Sequence, residues 1–362
     1  MFGNNRPTVF SLGRKARCIA ALESNSERHR FIVGTSCLRE PNELALIEYN
    51  EEEESVYLVR SYIHPKDVSS LAPSPREADL LFTCSGLGDA VLWRAPEAQG
   101  VFLEDRDANG ASPTSSLESV AELPQGSDAH EIIWRKDDTG DAIVASFGVS
   151  GVRLWNIRNS LEDIGKLSHA DSMRVSSGAW DPHHPSNIAI VCSCSLQGWD
   201  TRILKSTYEI AMAHKYACRS VDYNPNKPGF LVTCGDDRMV KFWDLRSTRE
   251  PIRTLAGHTH WCTTALYNKF HDQLVLSAGT DASLNLWRCS SISSAPLLEL
   301  DGEEATRLDA GDCKVRSYDD HEESIYSAAW SASDAWVFAS LDYSGRIALN
   351  HVPSTEKYRI LL

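Results

Sequence analysis

Histidine, hydroxyl and aspartate side chains recur in this chain at fixed distances before a tryptophan. The two most regular sets share the order and spacing of all four residues: His214, Thr233, Asp237 and Trp243, and His258, Ser277, Asp281 and Trp287. A single set of hydroxyl, imidazole and carboxylate groups would suggest the active site of a hydrolase. An enzyme needs only one such set, whereas here the set is repeated. Repetition favours a buried relay in which the indole N–H donates to the hydroxyl, the imidazole bridges, and the carboxylate fixes the imidazole tautomer. We therefore predict a structural hydrogen-bond network and no catalytic residue.

Cysteine and histidine pairs are the next candidates for chemistry. Cys192 and Cys194 would lie on one face of a strand, and His183 and His184 shortly precede them. A zinc site usually takes its four ligands from short knuckles such as Cys-x-x-Cys, a spacing that this chain lacks. Because free cysteine usually behaves as a small buried apolar residue, we predict neither a metal site nor a cofactor.

Evenly spaced tryptophans indicate the elements that must position these side chains. Trp155, Trp199, Trp243 and Trp287 are separated by 44 residues each, and each ends a segment in which apolar residues alternate. Such alternation is typical of a strand with one buried face. A further strand and a turn cluster precede each segment, as at residues 229–238. Four strands in about 40–45 residues are typical of one β-propeller blade.

The repeats resemble the WD-repeat family, most clearly at Trp199-Asp200-Thr201-Arg202 and Trp243-Asp244-Leu245-Arg246. The resemblance implies an all-β fold, a seven-bladed WD-repeat β-propeller with four-stranded antiparallel blades, closed by an N-terminal strand at residues 8–11. We predict a single domain over residues 1–362. Its blades are expected at about 17–62, 63–95, 130–168, 171–212, 214–256, 258–300 and 320–362.

Two polar inserts interrupt the period, at about 96–129 and 290–314. They lack apolar periodicity, and we expect them to be solvated, mobile loops. The alternative is that an acidic loop docks a basic partner or is phosphorylated on its serines.

The charge balance argues against nucleic acid and membranes as partners. The 362 residues include 36 basic and 50 acidic side chains, a formal net charge of −14, which opposes binding to phosphates or to an acidic leaflet. The densest basic cluster, Arg14-Lys15-Ala16-Arg17, is small and has no aromatic neighbour in the sequence. No apolar run reaches the roughly 18 residues of a membrane span. We expect a soluble cytoplasmic protein that has protein partners and no small-molecule substrate.

Residues just after the repeat histidines are the candidate partner contacts. They lie in loops that should open onto one face of the fold: Tyr216, His260, Trp261, Glu323 and Tyr326. Rigid aromatic side chains beside charged groups are typical of interface hot spots. The alternative is that Trp261 and Tyr326 pack between neighbouring blades.

Several segments resemble a narrower family within the WD-repeat proteins. They are Trp199-Asp-Thr-Arg202, Asn224-Pro-Asn-Lys227, Cys234-Gly-Asp-Asp237, Lys241-Phe-Trp-Asp244, His258-Thr-His-Trp261 and Lys357-Tyr-Arg-Ile-Leu-Leu362. The family is that of the EARP- and GARP-complex-interacting proteins. The resemblance implies a non-enzymatic scaffold that binds vesicle-tethering complexes. It also implies a role in retrieval from endosomes to recycling endosomes and the trans-Golgi network, in vesicle cargo sorting, and a peripheral location on those membranes.

A second interpretation rests on the two consecutive Trp-Asp-x-Arg boxes. Such pairs resemble the substrate receptors of cullin-RING ubiquitin ligases, in which Arg202 and Arg246 would contact the adaptor propeller. The alternative is that each arginine only pairs with a neighbouring carboxylate. A third possibility, an enzyme at the channel mouth, would need carboxylates that converge on the propeller axis.

Overall fold

Seven β-sheets and one α-helix make up the described part of the chain. The computed structural model describes residues 7–24, 26–96, 114–124, 128–136, 142–149, 151–157, 160–167, 175–294 and 312–361. The predicted seven-bladed β-propeller with four-stranded antiparallel blades is confirmed. The chain divides into two compact units. The first comprises Met1–Val175, Ile203–Lys205 and Tyr326–His351, and the second comprises Ser176–Arg202, Ser206–Ile325 and Val352–Leu362.

The first unit begins with β1 (Thr8–Ser11) and continues with blades 1, 2 and 3. Blade 1 consists of β2 (Ala16–Ala21), β3 (His29–Thr35), β4 (Asn42–Asn50) and β5 (Ser55–His64). Blade 2 consists of β6 (Ser70–Pro73), β7 (Leu80–Cys84), β8 (Ala90–Arg94) and, after the short β9 (Thr114–Ser116), β10 (Glu118–Glu122). Blade 3 consists of β11 (Ala129–Trp134), β12 (Ile143–Gly148), β13 (Gly151–Ile157) and β14 (Leu161–Leu167). The strand β9 adds to blade 1, parallel to β5.

The second unit contains blades 4, 5 and 6. Blade 4 consists of β15 (Val175–Trp180), β16 (Asn187–Cys192), β17 (Ser195–Asp200) and β18 (Lys205–Ile210). Blade 5 consists of β19 (Cys218–Tyr223), β20 (Phe230–Gly235), β21 (Met239–Asp244) and β22 (Arg253–Ala256). Blade 6 consists of β23 (Cys262–Tyr267), β24 (Leu274–Gly279), β25 (Leu284–Cys289) and β26 (Asp312–Tyr318).

Blade 7 belongs to the first unit and joins the two ends of the chain. Its strands are β27 (Ile325–Trp330), β28 (Val337–Asp342), β29 (Arg346–His351) and, as the outer strand, β1. Thr8 lies opposite Leu349, and Ser11 lies opposite Arg346. The prediction that the N-terminal strand completes the last blade is therefore confirmed, and this pairing covers an edge that would otherwise be open to association.

The apolar cores lie between successive blades of each unit. In the first unit, Phe31 and Ile47 of blade 1 pack with Val337 and Leu349 of blade 7. In the second unit, residues of β20 and β21 pack with Tyr267 and other residues of blade 6. In β13 and β21 buried and partly buried residues largely alternate, as the sequence predicts, whereas β17 and β25 are buried at every position.

Both predicted inserts lie between the third and the outer strand of a blade. In blade 2 the chain leaves β8 and returns at β10, and in blade 6 it leaves β25 and returns at β26. The insert ranges 96–129 and 290–314 are therefore too long at their C-terminal ends, and the blade ranges 63–95 and 258–300 omit the outer strands. Residues 97–113, 125–127 and 295–311 lie outside the described residues. The single-domain assignment stays a prediction.

The C-terminal segment forms a helix, α1 (Ser354–Leu361), in the second unit. Glu356 in its first turn is buried and forms an ion pair with Arg288, with Oε2 2.9 Å from the guanidinium Nη1. Arg288 directly follows the repeat residue Trp287, where blades 4 and 5 have an aspartate. The departure from Trp-Asp in blade 6 thus coincides with the attachment of α1.

Candidate interaction surface

The structure brings the four relay side chains of blade 5 together. Thr233 lies on β20, Trp243 lies on β21, Asp237 lies in the turn between them, and His214 lies in the loop before β19. His214 Nδ1 is 2.8 Å from Asp237 Oδ1, and its Nε2 is 2.8 Å from Thr233 Oγ1. The Trp243 indole donates to the same hydroxyl oxygen at 2.9 Å. Every hydrogen-bonding group of the relay has a partner when the threonine hydroxyl donates to His214 Nε2 and His214 Nδ1–H donates to the Asp237 carboxylate.

The charge state of this relay follows from burial and hydrogen bonding. Burial lowers the pKa of His214. Burial acts to raise the pKa of Asp237, but the bonds from His214 and from the backbone N–H groups of Lys215 and Met239 outweigh it, and that pKa lies well below its usual range. The relay therefore holds a neutral imidazole next to an ionised carboxylate.

The same tryptophan–hydroxyl bond recurs in other blades. In blade 6, His258 Nε2 lies 2.8 Å from Ser277 Oγ, and its Nδ1 lies 3.2 Å from Asp281 Oδ1. Four indoles donate to a hydroxyl on the second strand at 2.8–2.9 Å: Trp93 to Thr83, Trp155 to Ser146, Trp243 to Thr233 and Trp287 to Ser277. In blade 4, Trp199 donates to the side-chain oxygen of Gln197 at 3.3 Å instead. An amide thus takes the place of the hydroxyl in that blade.

The geometry of the relay suits a structural role better than a catalytic one. Thr233 and His214 have no exposed surface. The threonine hydroxyl is enclosed between the indole and the imidazole, so that a substrate has no path to it. A nucleophile must approach its substrate closely, and this one is out of reach.

An exposed aromatic cluster lies at the loops of blades 5 and 6, and we call it the Trp261 patch. It comprises Trp261, His260, Arg219, Asp236 and Thr280. Trp261, which is 47% exposed, lies directly before β23. The Arg219 guanidinium lies 5.7 Å from the centre of the Trp261 ring. The centres of the His260 and Trp261 rings are 4.9 Å apart.

Polar contacts hold the Trp261 patch in place. Arg219 makes two bonds of 2.7 Å to the carboxylate of Asp236, and that carboxylate raises the pKa of Arg219. The backbone N–H of Thr280 donates to the carbonyl of Trp261 at 2.9 Å. The patch is therefore rigid before any partner arrives, which lowers the entropic cost of binding.

The other candidate contacts are also exposed, and they are divided between the two units. Tyr216 is 54% exposed, and the Lys215 ammonium lies 5.5 Å from the centre of its ring. Glu323 is an exposed residue of the second unit. Tyr326 is 36% exposed and belongs to the first unit. Sequence reasoning missed Arg219, whose only signal is its place next to the buried Cys218 at the start of β19.

Each arginine of the Trp-Asp-x-Arg boxes pairs with the aspartate of its own box. Arg202 Nη2 lies 2.7 Å from Asp200 Oδ2, and Arg246 Nη2 lies 2.6 Å from Asp244 Oδ2. The two arginine side chains are nevertheless 72% and 74% exposed. They are accessible to a partner, although each is already neutralised locally.

One group of described residues has the composition of a metal site. Ligand atoms of His29, Glu51 and Asp334, all in the first unit, lie within 4.8 Å of one another. These groups also have partners within the fold. His29 Nδ1 lies 2.8 Å from the hydroxyl of Ser331, and Asp334 accepts the backbone N–H groups of residues 336 and 337. The His29 ring and the Asp334 carboxylate thus already take part in hydrogen bonds within the fold.

The described part of the chain contains no helix long and apolar enough to cross a membrane.

Comparison with known proteins agrees with the fold and with the repeat pattern. Residues 5–287 match the family model described as EIPR1 beta-propeller, and residues 312–349 match the WD domain, G-beta repeat. The EARP and GARP complex-interacting protein 1 of Rattus norvegicus is 31% identical, over 99% of this chain and 100% of that protein. The EARP-interacting protein homolog of Danio rerio is 33% identical over the same shares.

A plant relative is also similar over nearly its full length. The WD repeat-containing protein DWA2 of Arabidopsis thaliana is 32% identical, over 97% of this chain and 98% of that protein. Matches of this extent and identity, together with seven four-stranded blades and the recurring tryptophans, establish the relationship. The chain belongs to the EIPR1 β-propeller family.

Proposed function

We propose that this chain is a non-enzymatic interaction scaffold that binds the EARP and GARP vesicle-tethering complexes. It acts in retrieval from endosomes to recycling endosomes and to the trans-Golgi network and in vesicle cargo sorting, as a peripheral component of those membranes. The names of the rat and zebrafish relatives support the proposed partner. The exposed Arg219–Trp261 pair is the observation that carries a binding role for this chain.

Tryptophan and arginine are the residue types that most often dominate interface energetics. In the Trp261 patch the two side chains are in contact, Asp236 fixes the guanidinium, and the indole remains 47% exposed. The exposed part of this indole makes no contact with the hydrophobic core and so does not contribute to core packing. The patch therefore fits a site at which a tether subunit covers the ring.

The test is affinity purification of the tagged full chain from cells, with quantification of the tether subunits. We expect Trp261→Ala to reduce their recovery at least about tenfold, as for a central hot-spot residue. The matched control is Phe270→Ala. Phe270 is 48% exposed and lies just after the C-terminal end of β23, whereas Trp261 lies just before its N-terminal end. Equal recovery with both variants would rule out the Trp261 patch. Absence of tether subunits from the unmodified chain would rule out the proposed partner.

The exposed guanidinium groups of Arg202 and Arg246 support one alternative, a substrate receptor of a cullin-RING ubiquitin ligase. In that case the double variant Arg202→Ala, Arg246→Ala would lose a ligase adaptor that the unmodified chain recovers. Recovery of tether subunits that is unchanged in this double variant favours the scaffold of vesicle tethers.

A further inference from the structure

Two cations and two tyrosines meet on the first unit, far from one another in the sequence. We call them the Tyr326 patch: Lys15, Arg17, Tyr326 and Tyr343. The Lys15 ammonium lies 4.9 Å from the centre of the Tyr343 ring, and the Arg17 guanidinium lies 5.4 Å from that of Tyr326. The two tyrosine rings contact each other edge to face at 5.7 Å.

The cations of the Tyr326 patch have no carboxylate partner among the residues that the structure describes. Neighbouring Arg14, by contrast, donates to the carbonyl of Pro41 at 2.9 Å and lies 3.7 Å from Glu43. Both Lys15 and Arg17 are exposed. Two unneutralised cations side by side are a distinct local feature in a chain of net charge −14, and they attract anions.

The backbone around the patch is tightly anchored. The carbonyl of Lys15 accepts the N–H of Ser36 at 2.8 Å, and the N–H of Leu12 donates to the carbonyl of Gly345 at 3.1 Å. Gly345 has φ +84°, and a Cβ at this position would overlap the carbonyl oxygen of Arg14. Only glycine fits such a close approach.

Further hydrogen bonds hold the segments that carry the two tyrosines. Ser327, next to Tyr326, donates its hydroxyl to the carbonyl of Ile19 at 3.2 Å. Asp342, next to Tyr343, accepts the backbone N–H groups of Ser344 at 2.9 Å and of residue 346 at 3.1 Å. The backbone that carries the patch is thus ordered before a ligand binds, which reduces the entropic cost of binding.

We propose that the Tyr326 patch binds an acidic segment of a protein partner. Carboxylates of the segment pair with Lys15 and Arg17, while its backbone and methylene groups lie along the tyrosine rings. Guanidinium and ammonium groups that are stacked on aromatic rings keep their hydrogen-bond donors free for carboxylates. This proposal goes beyond the proposed function, since it uses other blades and does not depend on which complex the scaffold binds.

The size and surroundings of the patch favour a short acidic peptide over other anions. Nucleic acid and anionic membranes are bound through many cations at once, whereas this patch holds two and the remainder of the chain is acidic. A peptide needs only a few paired carboxylates, and tyrosine rings are common in such interfaces.

The test measures binding of a fluorescent oligoglutamate peptide to the full chain by anisotropy at low salt. We expect saturable binding that weakens with added salt. The double variant Lys15→Gln, Arg17→Gln should bind about tenfold or more weakly. The control is Lys66→Gln, Arg153→Gln, which removes the same charge from two ion-paired cations of the same unit.

The tyrosines supply a second arm of the test. Tyr326→Phe keeps the ring and should bind like the unmodified chain, whereas Tyr326→Ala should weaken binding severalfold. Far-UV circular dichroism and a melting curve establish that each variant is folded. Three outcomes would overturn the proposal: no binding of the peptide to the unmodified chain, equal losses in the two double variants, or binding only to vesicles of phosphatidylcholine and phosphatidylserine in equal parts.

Discussion

The ion pair between Arg288 and Glu356 fastens the C-terminal helix to blade 6. Glu356 accepts two bonds from Arg288 Nη1, at 3.0 and 2.9 Å, and both side chains are only 6% exposed. A buried pair of this kind adds little compared with an apolar pair of the same shape, but removal of one member takes the opposite charge away from a group that stays buried. Glu356→Ala should therefore lower the free energy of unfolding by about 3–5 kcal/mol.

The reverse substitution tests the same reasoning from the other side. Arg288→Met leaves the carboxylate of Glu356 behind, but Arg359 Nη1 is 3.8 Å from that carboxylate and can partly neutralise it. We expect a smaller loss than for Glu356→Ala. The double variant Arg288→Met, Glu356→Leu replaces the pair with apolar side chains, and it should be more stable than Glu356→Ala alone.

Urea unfolding followed by circular dichroism measures these differences. Because the chain consists of two compact units, the midpoint is compared only between variants with the same slope. Glu323→Ala, at an exposed carboxylate of the same unit, is the control and should change little. A loss below about 1 kcal/mol for Glu356→Ala, or a double variant that is no more stable than Glu356→Ala, would refute the assignment of a buried, coupled pair.

Two further predictions concern the relays. His258→Ala or Asp281→Ala should each cost about 1–3 kcal/mol of unfolding free energy, because buried relay partners lose their bonds, and a melting curve unmoved by both would contradict the relay. Acid should destabilise the chain through blade 5. Burial lowers the pKa of His214 in the folded chain. As the pH falls below about 6.5, the pKa of histidine in the unfolded chain, the unfolded chain therefore binds more protons than the folded chain, and stability is lost. The lowered pKa of Asp237 adds a second loss at still lower pH. Melting temperatures at about pH 7.5 and 5.5 should therefore differ less for His214→Gln than for the unmodified chain, and an equal difference would contradict this assignment.

Local sequence patterns were sufficient to predict most of the fold. The tryptophan period, the alternating strands and the N-terminal strand each appear where the sequence places them, because each depends on residues near one another in the chain. The outer strands of blades 2 and 6 were missed for a physical reason. Strand β10 is mostly exposed, and it therefore lacks the buried alternation by which a strand is recognised.

The candidate site was less accessible to sequence reasoning because its contacts are distant in the chain. Tyr216, His260 and Trp261 follow a repeat histidine, and this position identified them. Arg17 has no aromatic neighbour in the sequence, and its ring contact, Tyr326, comes from the other end of the chain. Blade 4 was also difficult to predict, because the acceptor of the Trp199 indole is the side-chain amide of Gln197. This residue does not lie at the spacing at which the other blades have a hydroxyl.

One backbone feature explains how the same scaffold presents different side chains. The first strands of blades 1, 3, 5 and 6 each have a bulge at their second residue, and the residues at these bulges are Arg17, His130, Arg219 and Thr263. A bulge adds a residue that leaves the regular alternation and points its side chain in a new direction. At Arg17 and Arg219 the bulge presents an exposed side chain, whereas Thr263 donates its hydroxyl to the carbonyl groups of Ala278 and Ile325. Arg17 and Arg219 both use this position to lie over an exposed aromatic ring. A substitution of Arg17 or Arg219 should therefore change binding at the proposed patches while the relays keep the blades intact.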